Sequence, residues 1–313
     1  MARIITLTPN PAIDLSTAID RVVPTVKLRC TAQRRDPGGG GINVARVAKR
    51  FGGDVEAIFP VGDLTGQTLR RLIDNEGIAN RVVEAHAETR QDFYVSELTT
   101  GSQYRFVLPG QPLSEAEWKE CLSVLAASTP APKFVVGSGS LPPGVPDDFY
   151  AQAAAVARHL GAKFLLDTSG APLAAAIEQG LFLIKPNLRE MSELVGAELA
   201  TEDAWLTKAR ALIERGKVEI VALSLGHIGA LVVTREEALR AHPLPIKPVS
   251  AVGAGDSFLG ALVASLADGA SVAEAFRLGV AAGAAALLNA GTELCHPADV
   301  YRLAAQARIE SVD

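Results

Sequence analysis

The stretch KFVVGSGSLPPGVPDDFYAQAAAVARHLGAKFLLDTSG, residues 133–170, decides the fold. Two short apolar runs, KFVVGSG and KFLLDTSG, flank an Ala-rich segment with helical patterning. Apolar runs without polar alternation suit strands buried on both faces. Strand, helix, strand is the βαβ unit. The same kind of run recurs as RIITLT near the start, VEAIFPVG from Val55, LFLIKPN from Leu181 and VEIVALSLG from Val218. This alternation predicts an α/β fold, a mostly parallel sheet with helices on both faces. Ligands of such sheets sit beyond the carboxyl ends of the strands. The Gly, Ser, Asp and Asn residues closing each run are therefore the candidates for a site.

The bulk properties narrow the class. A chain of 313 residues accommodates one large domain, or a large one with a small appendage. Hydrophobic residues make up 48% and aromatics only 5%, so Ala, Val, Leu and Ile must fill the core. A net charge of −5 without a basic stripe argues against a nucleic-acid partner. Cys30, Cys121 and Cys295 are scattered and odd in number, which argues against a disulfide framework or zinc site and fits a reducing cytosol. The longest uncharged stretch, Leu278 to Thr292, is shorter than the roughly 20 apolar residues of a membrane span. The apolar run in MARIITLTPNP is too short for a signal peptide. A cytoplasmic protein is expected.

Two segments break the βα rhythm. Residues 12–35 and 88–109 look like strands and turns, with TTGSQ as a hairpin turn. They would form a small β-lid or interface, leaving residues 1–11, 36–87 and 110–313 as the core; an edge hairpin without function is the alternative. Lys27, Arg29, Arg90 and Arg105 all fall in these segments. Four cations there, in an acidic protein, suggest a fixed anion such as a substrate phosphate, against the alternative of solvated surface charges.

Four motifs carry chemistry. SAVGAGDSFLGAL, from Ser250, brings glycines to the start of a helix, where backbone N–H groups and the helix dipole favour an anion. Asp256 there can take a proton from an attacking hydroxyl, or merely cap the helix. DPGGGGINVARVAKRFGG, from Asp36, places four glycines before Asn43 and an amphipathic helix, letting a polar ligand approach the backbone. KPNLRE, from Lys185, offers Lys185 and Asn187 to phosphates and Glu190 to a hydrated Mg²⁺; a capping box fits equally well. SLGHIGALVV, from Ser224, is a strand, glycine turn and strand, either a hairpin or a phosphate loop. Asp14, in TPNPAID, could bind hydroxyls or cap a turn.

Competing signatures fail. There is no G-x-x-x-x-G-K-[ST] loop and no H-E-x-x-H. GSGSLPPG has Pro142 where a dinucleotide fingerprint needs its third glycine, which disfavours a nicotinamide oxidoreductase. G-x-S-x-G is absent, so a hydrolase triad has little support.

Together GGGGINVA, continuing to Gly52 and Gly62, and SAVGAGDSFLGAL resemble the two signatures of the PfkB (ribokinase-like) family of carbohydrate kinases. KLRCTA, DPGGGGINVAR, YRFVLPG, GSGSLPPGV, IKPN and GTELC, in that order, look like a branch of the family acting on phosphorylated ketohexoses, over about residues 1 to 300. The resemblance implies a three-layer α/β/α core with a small β-sheet lid that doubles as a homodimer interface. It implies γ-phosphoryl transfer from ATP to the C1 hydroxyl of fructose 6-phosphate. The alternatives are fructose 1-phosphate phosphorylated at C6, tagatose 6-phosphate, or a silent sugar-phosphate sensor. By the family pattern Asp256 is the base, and Gly253, Ala254 and Gly255 form the anion hole. Asp14, Gly38, Gly39, Asn43, Arg90 and Gly139, with the lid cations, hold the sugar phosphate. Lys185, Asn187, Ser224, Gly226 and Gly229 attend ATP, and Glu190 supports Mg²⁺ through water. A K⁺ site is implied near Ser250, Val252, Ala286, Asn289 and Gly291. Ser250 stands where many members carry Asp, and Ala251 where many carry Thr or Ser.

Overall fold

The computed structural model describes every residue except Ala32, Ala251 and Asp313. In chain order the elements begin with β1 (Ile4–Leu7), β2 (Ala12–Ile19), β3 (Arg34–Gly38), α1 (Gly40–Arg50), β4 (Val55–Val61), α2 (Asp63–Asn75), β5 (Ala79–Glu84), β6 (Arg90–Glu97) and β7 (Gln103–Phe106). They continue with α3 (Glu115–Ala126), β8 (Phe134–Ser138), α4 (Phe149–His159), β9 (Lys163–Asp167), α5 (Gly170–Ile177), β10 (Leu181–Ile184), α6 (Leu188–Val195), α7 (Glu202–Glu214) and β11 (Val218–Ser224). The chain closes with β12 (Ala230–Val233), β13 (Ala238–Ala241), α8 (Ala254–Ala267), α9 (Val272–Ala286), α10 (Pro297–Ala304) and β14 (Ile309–Ser311).

Ten strands form one sheet in the order β14-β13-β12-β11-β10-β9-β8-β1-β4-β5. From β11 to β5 every pairing is parallel, and β12 to β14 continue antiparallel. The continuous apolar runs follow from burial on both faces. Phe134 and Val136 of β8 belong to one apolar cluster with residues of α1, α2, α8 and α9, and Val135 to the cluster on the other face with residues of α3, α4, α5 and α7. The chain runs outward from β1 through β4 to β5, and the other way from β8 through to β11. The order reverses between β1 and β8, which opens a crevice at their carboxyl ends.

The small sheet has the order β3-β2-β6-β7. The expected core boundary at residue 36 needs correction, because β3 pairs with β2 through Gly38 and carries residues 36–38 into the small sheet. The glycines of GGGG become available to α1 only after that pairing ends. Among the described residues, no helix is long and apolar enough to cross a membrane, and Cys30, Cys121 and Cys295 are free thiols.

Candidate active site

Close packing of α1 on α8 builds the centre of the site. A Cβ on Gly260 would lie 2.6 Å from Val47 Cβ and 3.0 Å from the Val44 carbonyl, so glycine lets the two helices touch. That contact brings the first turns together: Asn43 Nδ2 donates to Asp256 Oδ2 at 2.9 Å. Gly253 takes the left-handed conformation, φ 73°, that starts α8. The first helical bond of α8 is donated by Ser257 to the Gly253 carbonyl. The N–H groups of Ala254, Gly255 and Asp256 precede it, at the positive end of the helix.

Lys185, at the end of β10, is 6% exposed and reaches Asp167 Oδ2 at 3.1 Å. Burial pushes its pKa down, but the carboxylates of Asp167, Asp256 and Glu190 outweigh burial and raise it. A Cβ on Gly255 would stand 3.2 Å from Lys185 Nζ, so the loop rests against the ammonium. Withdrawal from water and the charge of Asp167 lift Asp256 to about 6, while Asn43, Lys185 and Arg105 pull the other way. A carboxyl poised there accepts a proton readily at neutral pH.

A cleft of about 880 Å³ opens from this point, lined by Lys185, Asn187, Ser224, Gly226, Gly229 and Gly255 among others. Asn187 and Ser224 form an isolated parallel bridge that aligns their strand ends. Gly226 and Gly229 have positive φ in the turn before β12. Asn187 and Glu190 do form the capping box of α6: Glu190 N–H donates to Asn187 Oδ1, and Glu190 Oε2 accepts from Asn187 N–H, each at 2.9 Å. One carboxylate oxygen of Glu190 is thus committed to the helix.

Asp14, 5% exposed, lies in a row of carboxylates across the small sheet, in register with Asp36 on β3 and Asp92 on β6. Burial and Asp92 raise it to about 7, against the pull of Arg46 and Arg90. A Cβ on Gly38 would fall 2.3 Å from Asp14 Oδ1, so glycine makes room for this carboxyl. Gly39, φ 106°, starts the turn into α1, and Gly139, φ 109°, follows β8. Arg90 is held by Asp92 at 3.0 Å and by the carbonyls of Leu108 and Asn10. Its Nε is buried with no hydrogen-bond partner among the described residues. Arg105 lies over the Tyr94 ring, 5.5 Å from its centroid, and its charge is felt at Asp256.

The single chain departs from expectation at Lys27 and Arg29. Both are exposed on the loop between β2 and β3, so neither is part of the pocket built by their own chain. Around the expected K⁺ position, Ser250 Oγ donates to the Gly291 carbonyl at 2.9 Å, and Val252 N–H donates to Ser250 Oγ. Ala286 and Asn289 lie in the adjoining turn, where Asn289 N–H donates to the Ala286 carbonyl. Sequence reasoning missed Asp167, Arg46, Asp92 and Tyr94. Asp167 was within reach, since it closes the KFLLD run where strand ends face ligands.

The doubly wound sheet, the first turn of α8 with its raised-pKa carboxyl, and a glycine-bordered cleft of about 880 Å³ form the architecture of an enzyme that binds a small phosphorylated ligand. The pattern of the pfkB family carbohydrate kinases matches residues 7–299, and the chain belongs to that family. It is 48% identical over 300 residues to the ATP-dependent 6-phosphofructokinase isozyme 2 of Mycobacterium tuberculosis, covering 96% of this chain and 88% of that protein. The crystal structure of phosphofructokinase-2 from Escherichia coli in complex with fructose-6-phosphate superposes with a TM-score of 0.92 at 41% identity, over 98% of this chain and 99% of that one. Structures of that enzyme also exist in complex with potassium and in a tetrameric inhibited form. A 1-phosphofructokinase of Xanthomonas campestris is more distant, 37% identical over 274 residues and 86% of each chain.

Proposed function

We propose that the chain transfers the γ-phosphoryl group of ATP to the C1 hydroxyl of fructose 6-phosphate, giving fructose 1,6-bisphosphate and ADP. The observation that carries this reading is the Asp256 carboxyl, bonded to Asn43 at the start of α8 and electrostatically coupled to Lys185, next to Ala254 and Gly255, which line the cleft with Lys185. Asp256 takes the proton of the C1 hydroxyl as that oxygen bonds to the γ-phosphorus. The bond from the γ-phosphorus to the β,γ-bridging oxygen breaks, and ADP leaves with its electron pair. Backbone N–H groups at residues 254–256 stabilise the charge on the passing phosphoryl group. Lys185 remains protonated throughout, its ammonium buried between Asp167 and the loop.

The donor set fits Mg²⁺. Among the described residues no three His, Cys, Asp or Glu side chains gather into a metal cage. Mg²⁺ needs none, because it is usually held by one or two carboxylates together with phosphates and water. Asp167 and the uncommitted oxygen of Glu190 are the groups that would hold it. When bound, it supplies charge neutralisation between the β- and γ-phosphates. The carbonyls of residues 252, 286 and 291 with the Ser250 hydroxyl are oxygen donors of the kind K⁺ accepts, and this supports a K⁺ site beside the anion hole.

We assign the exposed face of the small sheet to a homodimer. Phe93 and Phe106 are exposed on that sheet, and Val26, Leu28, Leu98 and Val107 on the segments beside its strands, a concentration of large apolar side chains in the lid. Lys27 and Arg29 lie on the same lid, and a substrate-binding role for them requires the second copy. The reaction belongs in the cytoplasm, where three unpaired thiols persist. A coupled ADP-release assay over fructose 6-phosphate, fructose 1-phosphate, tagatose 6-phosphate and unphosphorylated sugars tests the assignment. The highest kcat/KM is expected with fructose 6-phosphate. Absence of ADP with all of them would leave only a sugar-phosphate sensor.

A further inference from the structure

The α1 helix carries a buried cation that the mechanism above does not use. Arg46 is 1% exposed. Its Nε donates to both oxygens of Glu76, at 2.8 and 3.0 Å, and Nη2 meets Glu76 at 2.7 Å. Nη2 also reaches Asp36 Oδ1 at 3.4 Å. Nη1 donates to the Pro37 carbonyl at 3.0 Å and to Asn43 Oδ1 at 3.2 Å. Asn43 and Arg46 stand three residues apart, on one face of α1. The same Asn43 amide donates from Nδ2 to Asp256. A guanidinium has only donors and a carboxylate only acceptors. The amide between them therefore has one orientation that satisfies both, oxygen toward Arg46 and nitrogen toward Asp256.

We propose that Arg46 is a positioning residue for phosphoryl transfer: it locks the Asn43 amide so that its N–H is permanently aimed at the base. The inference rests on the assignment of Asp256 as that base. Without the guanidinium, only the ionised Asp256 carboxylate favours the donating flip, and once protonated that carboxyl can donate to the flipped carbonyl oxygen instead. The flipped form presents a carbonyl oxygen to the Asp256 carboxylate and favours protonation of the base. The charged groups facing Asp256 from the neighbouring elements are Asp167 on β9, Lys185 at the end of β10 and Arg105 on β7. None of these contacts Arg46, so its removal reaches Asp256 through Asn43.

The test is the pH profile of kcat for Arg46→Gln, Arg46→Lys and Glu76→Gln. Arg46→Gln should move the acid limb upward by about one pH unit, which lowers kcat about twofold at pH 7 and about fivefold at pH 6, with the KM for ATP within about twofold, and Arg46→Lys, which keeps a donor-only cation, should move it less. Glu76→Gln keeps the guanidinium in place, so it should lower thermal stability and leave the acid limb unmoved. An unmoved limb in the Arg46 variants, or an equal movement in Glu76→Gln, overturns the proposal. Should the Arg46 variants fail to fold, the unmodified protein labelled with ¹⁵N-asparagine gives the answer without turnover. The Asn43 side-chain amide, assigned by its loss in Asn43→Ala, should exchange its protons slowly and titrate with the acid limb of kcat. Fast exchange and no titration overturn the positioning role. Slow exchange without ADP release for any sugar would instead sink the kinase reading.

Discussion

Replacing Asp256 by Asn separates catalysis from stability, and the structure sets the sign of each. The amide cannot accept the proton of the attacking hydroxyl, so kcat should fall by about 10²–10⁴. Stability should move the other way. Burial and the charge of Asp167 hold the folded carboxyl at about 6, above its ordinary value of 3.8. Between those values the native state binds a proton that the unfolded state has lost. Stability from this group is therefore lost as pH rises through the window, and the full penalty is present above about 6. A shift of about two units corresponds to at most about 3 kcal/mol, less what solvent at the cleft screens. Spread over roughly 2 cal/mol/K per residue of unfolding entropy, this is a rise in Tm of up to about 5 °C. Thermal melts of Asp256→Asn and the parent at pH 7.5 and pH 4.5, with the coupled ADP assay at pH 7.5, make the check. The variant should melt higher at pH 7.5, and the difference should shrink to about a third at pH 4.5, inside the window between 3.8 and about 6. Near-normal turnover in the folded variant would refute the base assignment, and a Tm difference independent of pH would refute the buried-carboxylate reasoning.

Arg90→Ala should raise the KM for the sugar phosphate at least about tenfold and leave the KM for ATP nearly unchanged, since Arg90 carries a buried N–H with nothing to bond and a charge-assisted contact is worth about 1.5–3 kcal/mol; equal changes in both constants would reject the phosphate clamp. Asp14 is held at about 7, so the KM for the sugar phosphate should show an inflection there that Asp14→Asn removes; an inflection surviving in the variant belongs to another group. Phe106→Asp places a charge in the exposed apolar face of the small sheet and should lower the sedimenting mass from that of the proposed dimer to a monomer, with loss of turnover; a variant of unchanged mass would refute that interface.

Local composition made much of the fold legible. KFVVGSG and KFLLDTSG around an Ala-rich helix left a parallel βαβ unit as the consistent reading, because only strands covered on both sides lack polar alternation. The N-x-x-E pattern at Asn187 marked a real helix start, where the capping box is formed. The lid was legible as a break in rhythm, but its edge was misplaced by the glycines after Asp36, which looked like loop while Asp36 to Gly38 still paired with β2. The cations of the lid were legible as a group and not as individuals. Arg90 is half-buried on a paired strand and Arg105 is exposed on its strand over the Tyr94 ring, whereas Lys27 and Arg29 project from a loop.

What the sequence determined by itself was everything set by neighbours along the chain: strand and helix identity, the glycine turns, and the presence of Asp256 at a helix start. The tertiary structure decided what meets across the chain. Asn43 and Asp256 are 213 positions apart and bonded, because Gly260 lets α1 and α8 close on each other. Asp14, Asp36 and Asp92 become one row of carboxylates only through strand register. Proton affinity depends on burial and on charges a few ångströms away, and those distances exist only once the chain has packed.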